Sequence, residues 1–200
     1  VTVAYGQGGY TITAADSQSG IASIGSDSYS GHTSDEYPTS PSSVRHSTAP
    51  TSATINVADA LGNTTNVKLD NVAPTATGYY STATNKIKVS AEDTAATDTM
   101  ASGLWKVTGA NNTELYEVSD STVTSTDAGA TGDVTNTTDT RVHSTQATPP
   151  SSIKVYDRAG NVGNASLTQD EEIDVAEVAY GEGSYTVTIQ DSKSGLKDVK

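Results

Sequence analysis

Short runs of alternating apolar and polar residues follow one another along this chain, separated by clusters of Gly, Asp, Asn, Ser and Pro. Val1–Tyr5 and Tyr10–Ala14 place apolar side chains at every second position, which puts them on one face of an extended strand. Gly6–Gly9 between them is turn chemistry, so the pair reads as a hairpin. Ile21–Ile24 opens a third strand, and Ala53–Val57 and Thr64–Leu69 add two more around Asp59-Ala60-Leu61-Gly62-Asn63. Tyr79–Val89, Trp105–Val107 and Ser152–Tyr156 then repeat the same grammar. Little or no helix is expected, and short strands punctuated by turns predict sheets packed face to face.

The pattern is itself repeated. Val3–Ile24 and Val178–Val199 share 12 identities over 22 positions without a gap, at an offset of 175. A looser copy lies between them, with Ile87-Lys88-Val89 leading to Asp93 and then Ser102-Gly103-Leu104. The pentad Asp59–Asn63 returns as Asp157-Arg158-Ala159-Gly160-Asn161, matching at its Asp, its Gly and its Asn. Such recurrence predicts tandem domains. The expected units are residues 1–71, residues 72–174, and the opening strands of a third over 175–200. Asp70-Asn71-Val72-Ala73-Pro74-Thr75 forms a short, stiff junction, and Gln169–Val175 an acidic one. The polar tract Thr108–Thr140 interrupts the second unit, anchored chiefly by Leu115–Val118, Val123 and Val134.

In order, the chain offers a strand, Asp-x-x-Ser-Gly-Ile/Leu, a variable middle, a strand ending Asp-x-x-Gly-Asn, and a junction of the Asp-Asn-x-Ala-Pro-Thr kind. That order resembles the bacterial and archaeal Ig-like repeats, over both complete units and the start of the third. The resemblance implies an all-β chain of tandem immunoglobulin-like β-sandwich domains, each of about seven strands. It also implies a secreted or surface-anchored protein, with partners among neighbouring Ig-like domains or subunits. The long tract Thr108–Thr140 departs from the repeat and leaves the middle strands of the second unit open.

Composition sharpens this picture. Val, Ile, Leu and Phe make up only 16% of the chain, and the net charge is -13. Those values approach a disordered composition. Ten Tyr and one Trp supply the missing buried area, so thin-cored domains with an acidic, Ser/Thr-rich surface are expected. Eleven scattered Lys and Arg residues argue against nucleic acid, whose phosphates need cations. No apolar run approaches the length of a membrane-spanning helix, so no membrane insertion is expected in this region. Cys is absent, which removes thiolate and disulfide chemistry. Any secretion leader is expected to be already removed or to lie outside these residues.

Candidate chemistry is sparse. His32, His46 and His143 are the only histidines and none has a neighbour at metal-ligand spacing, so packing at a strand is the better reading. Gly6–Gly9 is followed by a strand, whereas a phosphate cradle needs a helix N-terminus. Asp16, Asp93, Asp191, Asp59 and Asp157 all sit at strand ends, where a carboxylate commonly accepts local backbone N–H groups. The alternative for such residues is Ca²⁺, for which the acidic run Asp170, Glu171, Glu172 and Asp174 is the favoured location. Calcium there would stiffen the junction, as it does in some adhesins that these repeats resemble. Asn63, Asn111, Asn136 and Asn164 each begin an Asn-x-Ser/Thr triplet and are candidate glycosylation sites, although such triplets arise by chance in a Thr-rich chain.

No nucleophile has a base and an orienting partner at a recognisable spacing, so no enzyme activity is expected. Two functions remain. The first is a structural spacer: the stalk of a surface adhesin or a filament building block. The second is an accessory carbohydrate- or ligand-binding module of an exported enzyme, for which Trp105, Tyr29, Tyr37 and Tyr116 would be the exposed aromatics. The final stretch Ile173–Lys200 carries opening strands but no Asp-x-x-Gly-Asn hairpin. Its apolar face must therefore be covered either by further chain, the favoured reading, or by strands of a neighbouring subunit.

Overall fold

A computed structural model describes residues 1–6, 8–28, 42–82, 85–94, 101–118, 123–125, 137–144, 149–171 and 173–193. All of its regular elements are β-strands. The first unit contains β1 (Thr2–Tyr5), β2 (Tyr10–Ala14), β3 (Ile21–Ile24), β4 (Asp27–Ser28), β5 (Ser42–His46), β6 (Thr54–Asp59) and β7 (Thr64–Lys68). The second contains β8 (Thr75–Ser81), β9 (Lys86–Glu92), β10 (Leu104–Gly109), β11 (Glu114–Glu117), β12 (Val123–Ser125), β13 (Thr138–Ser144), β14 (Ser152–Asp157), β15 (Val162–Ser166) and β16 (Thr168–Gln169). β17 (Val175–Gly181) and β18 (Ser184–Gln190) form a closing hairpin.

Two four-stranded sheets enclose each core, one sheet of the first unit being completed by a strand of the second. In the first, one sheet runs β12-β1-β2-β5 and the other β4-β3-β6-β7. Alternation decides the facing: β2 buries Tyr10, Ile12 and Ala14 and leaves Thr11 and Thr13 half-buried outside. These meet Val3 and Tyr5 from β1 and Ile21, Ile24, Val57 and Val67 from the opposite sheet. The second unit repeats the plan with β13-β9-β8-β16 against β11-β10-β14-β15, closed over Ile87, Val89, Leu104, Val107, Ile153 and Val155. Pairing is antiparallel throughout the described ladders except between β16 and β8. β5 and β13 show little hydrophobic alternation, and both are edge strands. Each has one ladder partner, β2 for β5 and β9 for β13.

The polar tract of the second unit is partly structured. β11 takes Glu114–Glu117, one residue earlier than the expected anchor, and β13 begins at Thr138; Val134 lies outside the described residues. β12 leaves its own unit and pairs antiparallel with β1 of the first, Val3 opposite Ser125 and Tyr5 opposite Val123. The free edge of the first sheet is thereby covered, which removes a row of unpaired backbone groups.

The two units also interlock through a turn. Ala159, in the turn Asp157–Asn161 of the second unit, is fully buried and belongs to the core of the first. Gly9 N–H donates to Arg158 O at 3.1 Å. Gly160 adopts φ +99°, and a Cβ there would run into the carbonyl of Gly8. Gly62, the matching residue of the first unit, has φ +86° but open space around it. Both positions disfavour a side chain through their backbone, but only Gly160 is closed by the neighbouring unit. Gly62→Ala is therefore expected to cost about 1–2 kcal/mol, the left-handed backbone penalty alone. Gly160→Ala should cost clearly more, on the order of 3 kcal/mol or above, because backbone must move. Denaturant unfolding of both variants checks this, and equal losses would contradict the interlock.

Candidate functional site at the unit junction

The repeated motifs explain how the site is built. In the first unit, Asp16 Oδ1 accepts the N–H groups of Gln18 and Ser19 at 2.8 Å. Asp59 Oδ1 likewise accepts from Leu61 and Asn63, while its Oδ2 accepts Asn63 Nδ2 at 2.7 Å. Hydrogen bonds to backbone and side-chain donors hold both carboxyls below the usual carboxylate range. These are the expected Asx-type turns, open to solvent.

In the second unit the same two turns face the end of the first. Asp157 Oδ1 accepts the N–H groups of Gly160 (2.7 Å) and Asn161 (2.8 Å), and its Oδ2 accepts Asn161 Nδ2. Asp93 Oδ2 accepts Gly103 N–H at 2.6 Å. Asp70, at the start of the junction, completes the group. Its N–H donates to Tyr5 Oη, its Oδ1 accepts Val72 N–H, and its Oδ2 accepts Ser102 N–H at 2.6 Å. Asn161 Nδ2 also donates to Asp70 O, and Ala159 N–H to Ser102 Oγ. The first of these crosses the junction, and the second ties together two segments of the second unit that are far apart in sequence.

Asp70, Asp93 and Asp157 are at most 2% exposed, and one oxygen from each lies within 4.8 Å of the others. Burial is the main cause that raises all three carboxyls, and the Asp70 charge raises the other two further. Asp93 is pushed up to about 7 and Asp157 up to about 8. Among the described residues, the charges that push Asp93 and Asp157 up are those of neighbouring carboxylates. Arg158, though adjacent to Asp157 and 1% exposed, directs Nη2 to Val118 O. Chemically the site is a buried pocket of hard oxygen donors.

The expected acidic run falls elsewhere. Asp170 is buried with its N–H on Tyr80 O, Glu171 is exposed and takes Gln169 Nε2, and Glu172 lies outside the described residues. Asp174 binds Ser192 through N–H and Oγ and pairs with Lys193 Nζ at 3.1 Å. These contacts with Ser192 and Lys193 hold it down to about 2. Among the described residues, the carboxylates that converge are instead Asp70, Asp93 and Asp157. Their spacing in sequence hid the site, but the Asp that opens the first junction was its available signal.

Other candidates have local roles. His46 stacks on Tyr10 with ring centroids 4.6 Å apart, which is packing at an edge strand. Asn63 is tied to Asp59, Asn111 Oδ1 accepts Thr113 N–H, and Asn164 is exposed on β15; Asn136 and His32 lie outside the described residues. No family model matches the chain, and no curated protein or solved structure matches it.

A carboxyl raised on folding takes up protons as the chain folds, so it favours the fold most below its ordinary value of 3.8. That contribution vanishes as pH climbs through the folded values near 7 and 8. In chelator, melting temperature should therefore fall between pH 5 and pH 8. A flat or rising profile over that window would show that the three carboxyls do not share a dry pocket.

Proposed function

We propose that this chain is a structural repeat region of an extracellular, cell-surface protein, built of Ig-like sandwiches whose junction holds consecutive units at a fixed angle. One observation carries the reading: the turn Asp157–Asn161 of the second unit is part of the core of the first. A flexible linker between independent binding modules needs no such insertion, whereas a stalk or filament that transmits force does. Strand β12 adds a second tie by pairing across units, and Asp70 adds a third. The tandem arrangement favours length and stiffness as the product. The acidic, Ser/Thr-rich composition suits an outer surface, and glycans on exposed Asn residues would be compatible with it.

The ligand-binding alternative needs an exposed aromatic platform. Trp105 is only half-buried, but its ring lies against Gly8, where a Cβ would sit 2.7 Å from Cζ3. Tyr156 meets it edge-on at 6.2 Å, and Lys106 Nζ lies 4.0 Å over its centroid. Trp105 thus serves the junction on one side and an ammonium on the other. Tyr116 is buried, and Tyr29 and Tyr37 lie outside the described residues. These contacts favour the spacer over a flat sugar-stacking face.

A glycan array tests the choice. The spacer reading expects no saturable retention, and Trp105→Ala should reduce stability by about 2–4 kcal/mol while leaving array signals unchanged. Specific binding of a polysaccharide that Trp105→Ala abolishes without unfolding would replace this reading with the module.

A further inference from the structure

We infer that Asp70, Asp93 and Asp157 jointly bind one divalent cation of the calcium type, clamping the two units at their junction. The first observation is convergence: three oxygens from three separate segments lie within 4.8 Å of one another. Two oxygens sharing an ion at about 2.4 Å can be at most about 4.8 Å apart, so the triad is spaced for such an ion. The second observation is a specific buried atom without a partner. Asp93 is 2% exposed, its Oδ2 is used by Gly103 N–H, and its Oδ1 has no hydrogen-bond donor. A buried carboxylate oxygen left without a donor is strongly unfavourable unless a cation meets it or the carboxyl takes up a proton, and near neutral pH a divalent cation competes with that proton.

The rest of the pocket is prepared for a positive charge. Asp70 and Asp157 are already oriented by N–H donors from Val72, Ser102, Gly160 and Asn161, which fix their carboxylates in place. Such supporting bonds are what hold metal-ligating carboxylates in geometry. The second junction shows the alternative solution. There Asp174 pairs with the ammonium of Lys193.

Ligand chemistry selects the ion. All three donors are carboxylates, with neither His nor Cys, which excludes a preference for zinc or copper. Mg²⁺ retains several waters in strict octahedral array, and residues at most 2% exposed leave little solvent at their surface. Ca²⁺ accepts irregular oxygen sets and sheds water more readily. The site stands independently of the spacer reading, since it rests on the junction alone and not on where the protein works.

The test uses the whole 200-residue chain, stripped with EDTA and exchanged into chelator-free buffer at neutral pH. Calorimetric titration with CaCl₂ should show one site per chain, with MgCl₂ binding more weakly. Millimolar Ca²⁺ should raise the melting temperature by several degrees. Asp93→Asn should abolish calcium uptake while melting in EDTA at or above the wild-type temperature, since it removes one buried charge; loss of binding is then not loss of fold. Asp16→Asn, at the corresponding but solvent-open turn, should bind as wild type does. Absence of any calcium heat and any melting shift in the wild-type chain would overturn the proposal. So would undiminished one-site uptake by a folded Asp93→Asn, which would place the ion elsewhere.

Discussion

Three carboxylates are held where water barely reaches, and the junction depends on how that charge is compensated. Asp70 lies at the end of the first unit, while Asp93 follows the end of β9 and Asp157 closes β14 in the second, so none of them alone defines a site. Their burial follows from packing that leaves little choice. Gly160 lets the two backbones meet without a side chain between them, Gly8 leaves room for the Trp105 ring, and Ala159 joins the first core. Once that contact closes, the Asp-x-x-Gly-Asn turn is carried into the interior together with its carboxylate. The same turn in the first unit remains open to solvent, and its Asp59 stays below the usual carboxylate range instead of above it. One motif thus produces opposite electrostatics according to what packs on it.

The turn Asp59–Asn63 reverses the chain within the first unit, whereas Asp157–Asn161 places Ala159 in the core of the other unit. Tyr5 contributes at the opposite side: it lies on the first strand and its hydroxyl oxygen receives the N–H of Asp70, the residue at which the unit ends. Burial raises that phenol well above its ordinary range, so it stays neutral beside the acidic cluster. The beginning and the end of the first unit and two turns of the second therefore converge within one hydrogen-bonded group. The hairpin of β17 and β18 is a two-stranded sheet among the described residues. Its Val178, Tyr180, Tyr185 and Val187, whose counterparts Val3, Tyr5, Tyr10 and Ile12 are buried in the first unit, are 45% to 85% exposed.

Much of the architecture was legible in the sequence, and the reason is period two. β2 and β3 fall on the expected boundaries Tyr10–Ala14 and Ile21–Ile24, because their alternation and the turn residues beside them agree. Edge strands β5 and β13 were harder, since a strand paired on one side carries little apolar signal. The escape of β12 to another unit could not be read at all, because backbone pairing has no composition. The site was half legible. Asp93 and Asp157 stood out as repeated turn residues, but local turn chemistry accounted for them fully. Asp70 looked like linker, and the denser acidic run Asp170–Asp174 drew attention to the second junction. Charge density along a chain is a poor guide where a lysine such as Lys193 is folded back onto it.

The central claim is that the two units form one body through this junction. Residual dipolar couplings measured on backbone amides test it directly, with β1–β7 and β8–β11 plus β13–β15 fitted separately. The account predicts one alignment tensor, with the same magnitude and orientation for both sets. Two tensors of different magnitude, with the units reorienting about residues 71–74, would contradict it.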